Sequence, residues 1–195
     1  MRKKKLTGLF FGSFNPIHVG HLVIANHIME FNHPDEIWFV VSPQNPHKPK
    51  ETLLDDYTRL ELVNLAITDN PAFRACDIEF RMPKPSYTVN TLVYLTEKYP
   101  ERDFALIMGS DNLETLPAWK NSSEILRMIK SIFVYPRPKH DGGSLKNDPR
   151  VSISCAPLME ISASYIRNSI KQGKDMRYIL PAGVYEYVKK MNLFR

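Results

Sequence analysis

Cysteine is nearly absent from this chain of 195 residues: Cys76 and Cys155 are too few for a disulfide framework and too far apart for metal-ligand spacing. Both fall in expected strands and are expected to be buried free thiols. No apolar run approaches the ~18 residues of a membrane span. After Arg2-Lys3-Lys4-Lys5 comes only a brief apolar stretch containing Thr7 and Gly8, too short for a secretory signal. A cytoplasmic protein without membrane contact is the expectation. Glycine is sparse at eight residues, and neither Gly-x-Gly-x-x-Gly nor Gly-x-x-x-x-Gly-Lys-Ser/Thr occurs, so the usual dinucleotide and P-loop fingerprints are missing. Clustered carboxylates are missing too, and no residue is expected to serve in a dedicated metal cage. The net charge of +5 is spread along the chain, with no basic run interleaved by aromatics. That argues against a nucleic-acid partner, whereas a mild positive field suits small polyanionic substrates.

What is present describes a globular chain. A composition of 43% hydrophobic and 11% aromatic residues supports a substantial core, and one domain over 1–195 is expected. Strands are read over 6–11, 36–41, 73–80, 104–108, 131–135 and 151–155, several as continuous apolar runs of the kind that sheets covered on both faces contain. Helices are read over 19–31, 56–68 and 88–99, the third with Val89, Leu92, Val93 and Thr96 on one stripe, and a closing helix over 181–194 with Val184, Tyr187, Val188 and Met191 inward. This β-α alternation predicts an α/β fold, a Rossmann-like doubly wound parallel sheet with C-terminal helices and a ligand crevice beyond the strands' C-terminal ends. Two polar, turn-rich stretches interrupt it. The one over 42–55 carries His47-Lys48 and is read as able to close over substrate; the other, over 136–149, is read as a flexible excursion.

The most informative segment is Gly12-Ser13-Phe14-Asn15-Pro16-Ile17-His18-Val19-Gly20-His21. It follows an apolar strand and runs directly into a helical pattern, an order that aims backbone N–H groups and a positive dipole end at an anion. His18 and His21 lie three residues apart, and Gly20 removes a side chain between them. Far downstream, Ile161-Ser162-Ala163-Ser164-Tyr165-Ile166-Arg167 also opens a helical stretch. Ser162 is placed to cap that helix, and Arg167 offers a guanidinium fork to phosphate oxygens.

His-x-Gly-His after a first strand resembles the nucleotidylyltransferase superfamily, and the 161–167 segment resembles its second signature, Ile-Ser-x-Ser/Thr-x-Ile-Arg. Pro46-His47-Lys48, Pro85-Ser86-Tyr87-Thr88, Gly109-Ser110-Asp111-Asn112 with Leu116-Pro117-Ala118-Trp119-Lys120, and Arg137-Pro138 resemble landmarks of the bacterial nicotinate-nucleotide adenylyltransferases. The likeness runs from about Leu6 to the C-terminal helix. It departs where the family usually reads Gly-Gly-Thr-Phe-Asp against Phe11-Gly12-Ser13-Phe14-Asn15, at Ala163 in place of Ser and at Ser164 in place of Thr. Only Asn15 removes a charge.

The resemblance implies an enzyme of NAD biosynthesis that transfers adenylyl from ATP to nicotinate mononucleotide. It implies His18, His21 and Arg167 as catalytic residues. ATP would lie on Gly12, Ser13, Phe14, His18, Gly20, His21, Gly109, Asp111, Ile161, Ser164 and Arg167. The acceptor would lie on Ser13, Asn15, Lys48, Thr88 and Trp119, the last two facing the pyridine ring. Mg²⁺ would arrive with ATP, held mainly by water and substrate. Arg59 matches a further landmark and is read as a structural ion pair or indirect contact. Pantetheine-phosphate adenylyltransferase, another nucleotidylyltransferase, and a nucleotide-binding regulator without turnover stand as alternatives; a homo-oligomer is left open.

Overall fold

A computed structural model describes residues 3–43 and 53–195. Six strands, β1 Lys5–Gly12, β2 Glu36–Val41, β3 Phe73–Cys76, β4 Arg102–Gly109, β5 Ile129–Tyr135 and β6 Val151–Ile153, form one sheet in the order β3-β2-β1-β4-β5-β6. Every neighbouring pair is parallel. The helices are α1 Val19–Asn32, α2 Asp56–Ile67, α3 Thr88–Lys98, α4 Ser110–Thr115, α5 Ser122–Met128, α6 Ala163–Lys171 and α7 Ala182–Lys190. The chain works outward from β1 through β2 to β3, then returns to β4 on β1's other side and works outward again. Connections therefore diverge between β1 and β4, and a crevice opens beyond their C-terminal ends.

Alternate residues of each central strand feed two cores, which is why these strands read as unbroken apolar runs. Leu9, Trp38, Val40 and Leu106 pack under α3, α4 and α5 through Leu92, Leu95, Leu113 and Ile125. Phe10, Phe39, Val41 and Ile107 pack under α1, α2, α6 and α7 through Ile24, Ile28, Leu62, Ile166 and Val184. Among the described residues, no helix is long and apolar enough to cross a membrane.

Several expectations need correction. The third strand stops at Cys76, and Ile78–Arg81 turns into a 3₁₀ helix that buries Glu79. β6 ends at Ile153, so Cys155 lies beyond the sheet and is exposed, while Cys76 is the buried thiol. Along α3 the buried stripe is Val89, Leu92 and Leu95, with Val93 exposed, and on the last helix Met191 is outside. The short helices α4 and α5 escape a periodicity argument because each is too brief to show one. The 136–149 stretch is anchored: Glu114 of α4 accepts hydrogen bonds from the backbone N–H groups of Asp141 at 2.8 Å and Gly142 at 3.3 Å, and its other oxygen lies 2.7 Å from His140 Nδ1.

Candidate active site

The site begins at the turn after β1. A Cβ on Gly12 would fall 2.8 Å from the Phe14 ring, so the turn closes only over glycine. Phe14 has φ of 45° and is buried, edge-on to His21 with ring centres 5.1 Å apart; its side chain belongs to the core, leaving only its backbone for a ligand. The turn is clamped from below by Arg59 of α2, which is 0% exposed. Its Nη1 donates to the carbonyls of Ser13 (2.6 Å) and Ser42 (2.8 Å), its Nε to that of Leu54 (3.1 Å), and its Nη2 pairs with Asp56 at 2.6 Å. The expected structural role of Arg59 is what the geometry displays. Asn15 is also interior, 1% exposed, and its Oδ1 accepts from the Leu54 N–H at 3.2 Å. An amide oxygen thus ties the turn to residue 54 where the family usually has a carboxylate.

His18 caps α1 from an extended conformation. Its N–H donates to His21 Nδ1 at 3.2 Å, and the two rings lie with centres 3.8 Å apart, tilted by 33°. Because His21 Nδ1 accepts, a neutral ring at that position carries its proton on Nε2, which makes Nε2–H a donor. His18 is 5% exposed, and its Nδ1 is buried without a hydrogen bond among the described residues. The space beside Gly20 is taken by this ring and by Met159: a Cβ there would lie 3.0 Å from His18 Nδ1 and 3.6 Å from Met159 Cε.

Burial, and then the positive charge of Arg137, hold the His18 imidazole below its ordinary 6.5, at about 4. It is therefore neutral near pH 7. Between those two values the unfolded chain binds a proton that the folded site refuses, so stability falls as pH drops from about 6.5 towards 4 and levels off below. The loss expected from this one group is about 3 kcal/mol. Urea denaturation at a series of pH values checks it: His18→Gln is expected to flatten the profile over that window, and an unchanged profile would show that His18 does not carry it.

Arg137, just after β5, was absent from the expected site residues, although Arg137-Pro138 had been noted as a landmark. Its N–H donates to Ser110 Oγ at 2.9 Å, its guanidinium carbon lies 5.2 Å from the Tyr135 ring centre, and its Nη1 reaches the Met159 carbonyl at 3.4 Å. Its position at a central strand's C-terminal end was the available signal. Beside it, Asp111 Oδ1 occupies the place a Cβ on Gly109 would take, and that oxygen is buried without a hydrogen-bond partner among the described residues. An orphaned acceptor in a crevice is suited to a ligand hydroxyl.

The 161–167 segment arrives from the other side. Ser162 Oγ accepts from the Tyr165 N–H at 3.2 Å, the cap expected of it, and Ile161 packs against the core. Arg167 Nη1 donates to the Asn15 carbonyl at 2.9 Å and its Nη2 to Ser164 Oγ at 3.3 Å, so the second signature is bound directly to the first across the fold. Partial burial lowers the guanidinium's pKa, but it stays a cation. Thr88 opens α3, and Trp119 follows the 3₁₀ turn Leu116–Ala118 with its Nε1 donating to Thr115 Oγ1 at 3.2 Å. Lys120 Nζ lies 4.4 Å over the Tyr87 ring and joins these two segments. Lys48 lies outside the described residues. Among the described residues, no three His, Cys, Asp or Glu side chains converge as a metal cage.

The parallel sheet of this order, the glycine turn and helix start after β1, and an arginine-bearing helix joined to that turn are those of a cytidylyltransferase-like protein, and that family's model matches residues 9–169. The chain is 52% identical over 181 residues to the probable nicotinate-nucleotide adenylyltransferase of Cytophaga hutchinsonii, covering 93% of this chain and 94% of that protein. It is 51% identical over 190 residues to the protein of the same name in Flavobacterium johnsoniae, covering 96% and 98%. The chain belongs to the nicotinate-nucleotide adenylyltransferase family. In fold it is similar to a Plasmodium falciparum nicotinic acid mononucleotide adenylyltransferase complexed with NaAD, with TM-score 0.81 at 20% identity over 97% of both chains.

Proposed function

We propose that this protein transfers the adenylyl group of ATP to nicotinate mononucleotide, giving nicotinate adenine dinucleotide (deamido-NAD) and pyrophosphate, as a single nucleotidylyltransferase domain. The observation that carries the reading is the close His18–His21 ring pair at the start of α1, on a turn whose Asn15 carbonyl is held by Arg167 of the second signature. The acceptor's 5′-phosphate attacks the α-phosphorus of ATP; the new P–O bond forms as the bond to the bridging oxygen breaks, and pyrophosphate leaves in line. The attacking oxygen is already an anion, so no general base is needed, and positioning with donors aimed at developing charge supplies the acceleration. His21 Nε2–H and the His18 ring face the triphosphate at the start of α1. Arg167 and Ser164 hold its outer phosphates, and Arg137 adds a second guanidinium. Asp111 accepts from a ribose hydroxyl beside Gly109. Ser13 and the Asn15 turn border the acceptor phosphate, while Thr88 and Trp119 border its pyridine ring.

The donor set of neutral imidazoles, guanidiniums and one lone carboxylate fits a divalent ion, Mg²⁺ by preference, that phosphate oxygens and water hold more than protein does. Bound there, such an ion would offset the negative charge of the phosphates.

Pyrophosphate release measured with ATP and a panel of acceptors tests the reading. Nicotinate mononucleotide is expected to exceed nicotinamide mononucleotide by about 10²–10⁴ in kcat/KM, because an amide sets its own NH₂ against donors arranged for a carboxylate. Trp119→Ala is expected to weaken use of the acceptor strongly and spare ATP. Equal efficiency with both mononucleotides overturns the acceptor, and turnover with a pantetheine phosphate replaces it. ATP binding without pyrophosphate release would make the protein a regulator. Arg167→Lys, which keeps the charge but loses the bidentate fork, is expected to raise the KM for ATP and lower kcat by about tenfold or more, with little change for the acceptor; unchanged ATP kinetics would leave Arg167 only as a tie between α6 and the turn after β1.

A further inference from the structure

Glu79 is a buried carboxyl that the adenylyl-transfer reading does not use. It sits on the 3₁₀ turn after β3 and is 2% exposed. Among the described residues it has no ion-pair partner; the Thr91 hydroxyl donates to it, the Ser42 and Ser86 hydroxyls lie beside it, and burial pushes its pKa up. A side chain of this kind destabilises the fold unless something else requires it.

The three hydroxyls come from separate segments. Thr91 Oγ1, fully buried in the first turn of α3, donates to Glu79 Oε1 at 2.8 Å. Ser86 belongs to the segment that delivers Tyr87 and Thr88 to the helix start; its Oγ and Glu79 Oε2 are both buried and in no fully formed hydrogen bond. Ser42 ends the second strand, where its N–H donates to the Gly12 carbonyl at 2.9 Å and its own carbonyl accepts from Arg59. One carboxyl, bonded to Thr91 and with the Ser42 and Ser86 hydroxyls beside it, therefore sits between the end of β2 and the segment proposed to face the pyridine ring.

We propose that Glu79 is a positioning residue for the acceptor half of the site, holding Ser86–Thr88 in register with the end of β2. This rests on the assignment of nicotinate mononucleotide as acceptor. The geometry separates the two substrates. Among the described residues, the hydrogen bond Glu79 makes is to Thr91 of α3, whereas His18, His21, Arg137 and Arg167 are held by other bonds, so its loss is expected to fall first on the acceptor.

The test is steady-state pyrophosphate release with ATP and nicotinate mononucleotide each varied in turn, in the wild type, Glu79→Gln and Glu79→Leu, with circular dichroism to verify folding. Glu79→Leu is expected to raise the KM for nicotinate mononucleotide by about 10–100-fold while the KM for ATP and kcat change by about threefold or less. Glu79→Gln keeps an acceptor for Thr91 and donors for a serine, and is expected to restore the acceptor KM to within about threefold of wild type. A residue that merely supports the fold would lower kcat through loss of active protein and leave both KM values in place. That outcome, or equal rises for ATP and acceptor, overturns the proposal. Should Glu79→Leu fail to fold, Ser86→Ala and Thr91→Val decide, each expected to raise the acceptor KM alone by about threefold to tenfold; no selective change in either overturns it. A wild type that turns over ATP with another acceptor but not this one removes the acceptor assignment, and this inference with it.

Discussion

Replacing either His18 or His21 by alanine is expected to lower kcat by about 10²–10⁴, equivalent to ~3–5 kcal/mol of transition-state stabilisation, with the fold retained. The two rings are stacked at 3.8 Å, and one is oriented by the other's backbone, since the His18 N–H fixes His21 Nδ1. Removing His21 thus leaves the His18 amide without its acceptor, and removing His18 leaves the His21 ring without its stacking partner. The double variant is expected to cost much less than the product of the two single losses, as for residues acting as a unit. Pyrophosphate release under saturating substrates measures this, with circular dichroism to show folding. A folded double variant of near-native activity would remove both histidines from the chemistry. His18 is held neutral at pH 7. Its contribution is accordingly that of a polar ring and a hydrogen bond, with no positive charge in the free enzyme.

The second large effect is on stability. Arg59→Met is expected to destabilise the fold by roughly 3–5 kcal/mol and to lower the melting midpoint by about 10 °C or more. Methionine fills much of the space but leaves the carbonyls of Ser13, Ser42 and Leu54 and the Asp56 carboxylate without their shared donor. Buried acceptors stripped of partners each cost a desolvation penalty. Urea unfolding with slope and midpoint both fitted gives the measurement, and a loss below about 1 kcal/mol would show that the clamp contributes little. Activity of the folded fraction is expected to fall as well, because the turn that Arg59 holds leads directly to His18.

The local motifs carried much of this in their own chemistry. The Gly12–His21 order of strand, turn and helix start is a short-range pattern, and the observed β1 and α1 differ from expectation by a residue or so at each end. Ser162 capped its helix as a hydroxyl before an apolar stripe should. What failed had a common cause. Several apolar positions on α3 satisfy a helical period, Val93 among them, and only the neighbours decide that Leu95 turns in and Val93 out. The strand expected over 151–155 stops short of Cys155, because β6 is an edge strand of three residues and pairing ends before it. Arg137 stood in the sequence as a landmark without a partner. Its part became visible once β5 was set two strands from β1, where its charge acts on an imidazole 119 residues away in the chain.

By itself, the sequence determined the alternation of strands and helices, the parallel sheet that such alternation requires, and the positions of two helix starts, those of α1 and α6. Each follows from periodicity, capping and glycine placement within some ten residues, where backbone sterics and local hydrogen bonds set the answer. The tertiary structure alone decided what those parts do to each other: that Arg167 reaches the Asn15 carbonyl, that Arg59 holds the first turn from beneath, that Glu79 collects hydroxyls from three segments, and that His18 is buried deeply enough to be neutral. These depend on distances and desolvation between residues remote in the chain. A side chain's burial and its partners are properties of the packed sheet and helices, and no local pattern encodes them.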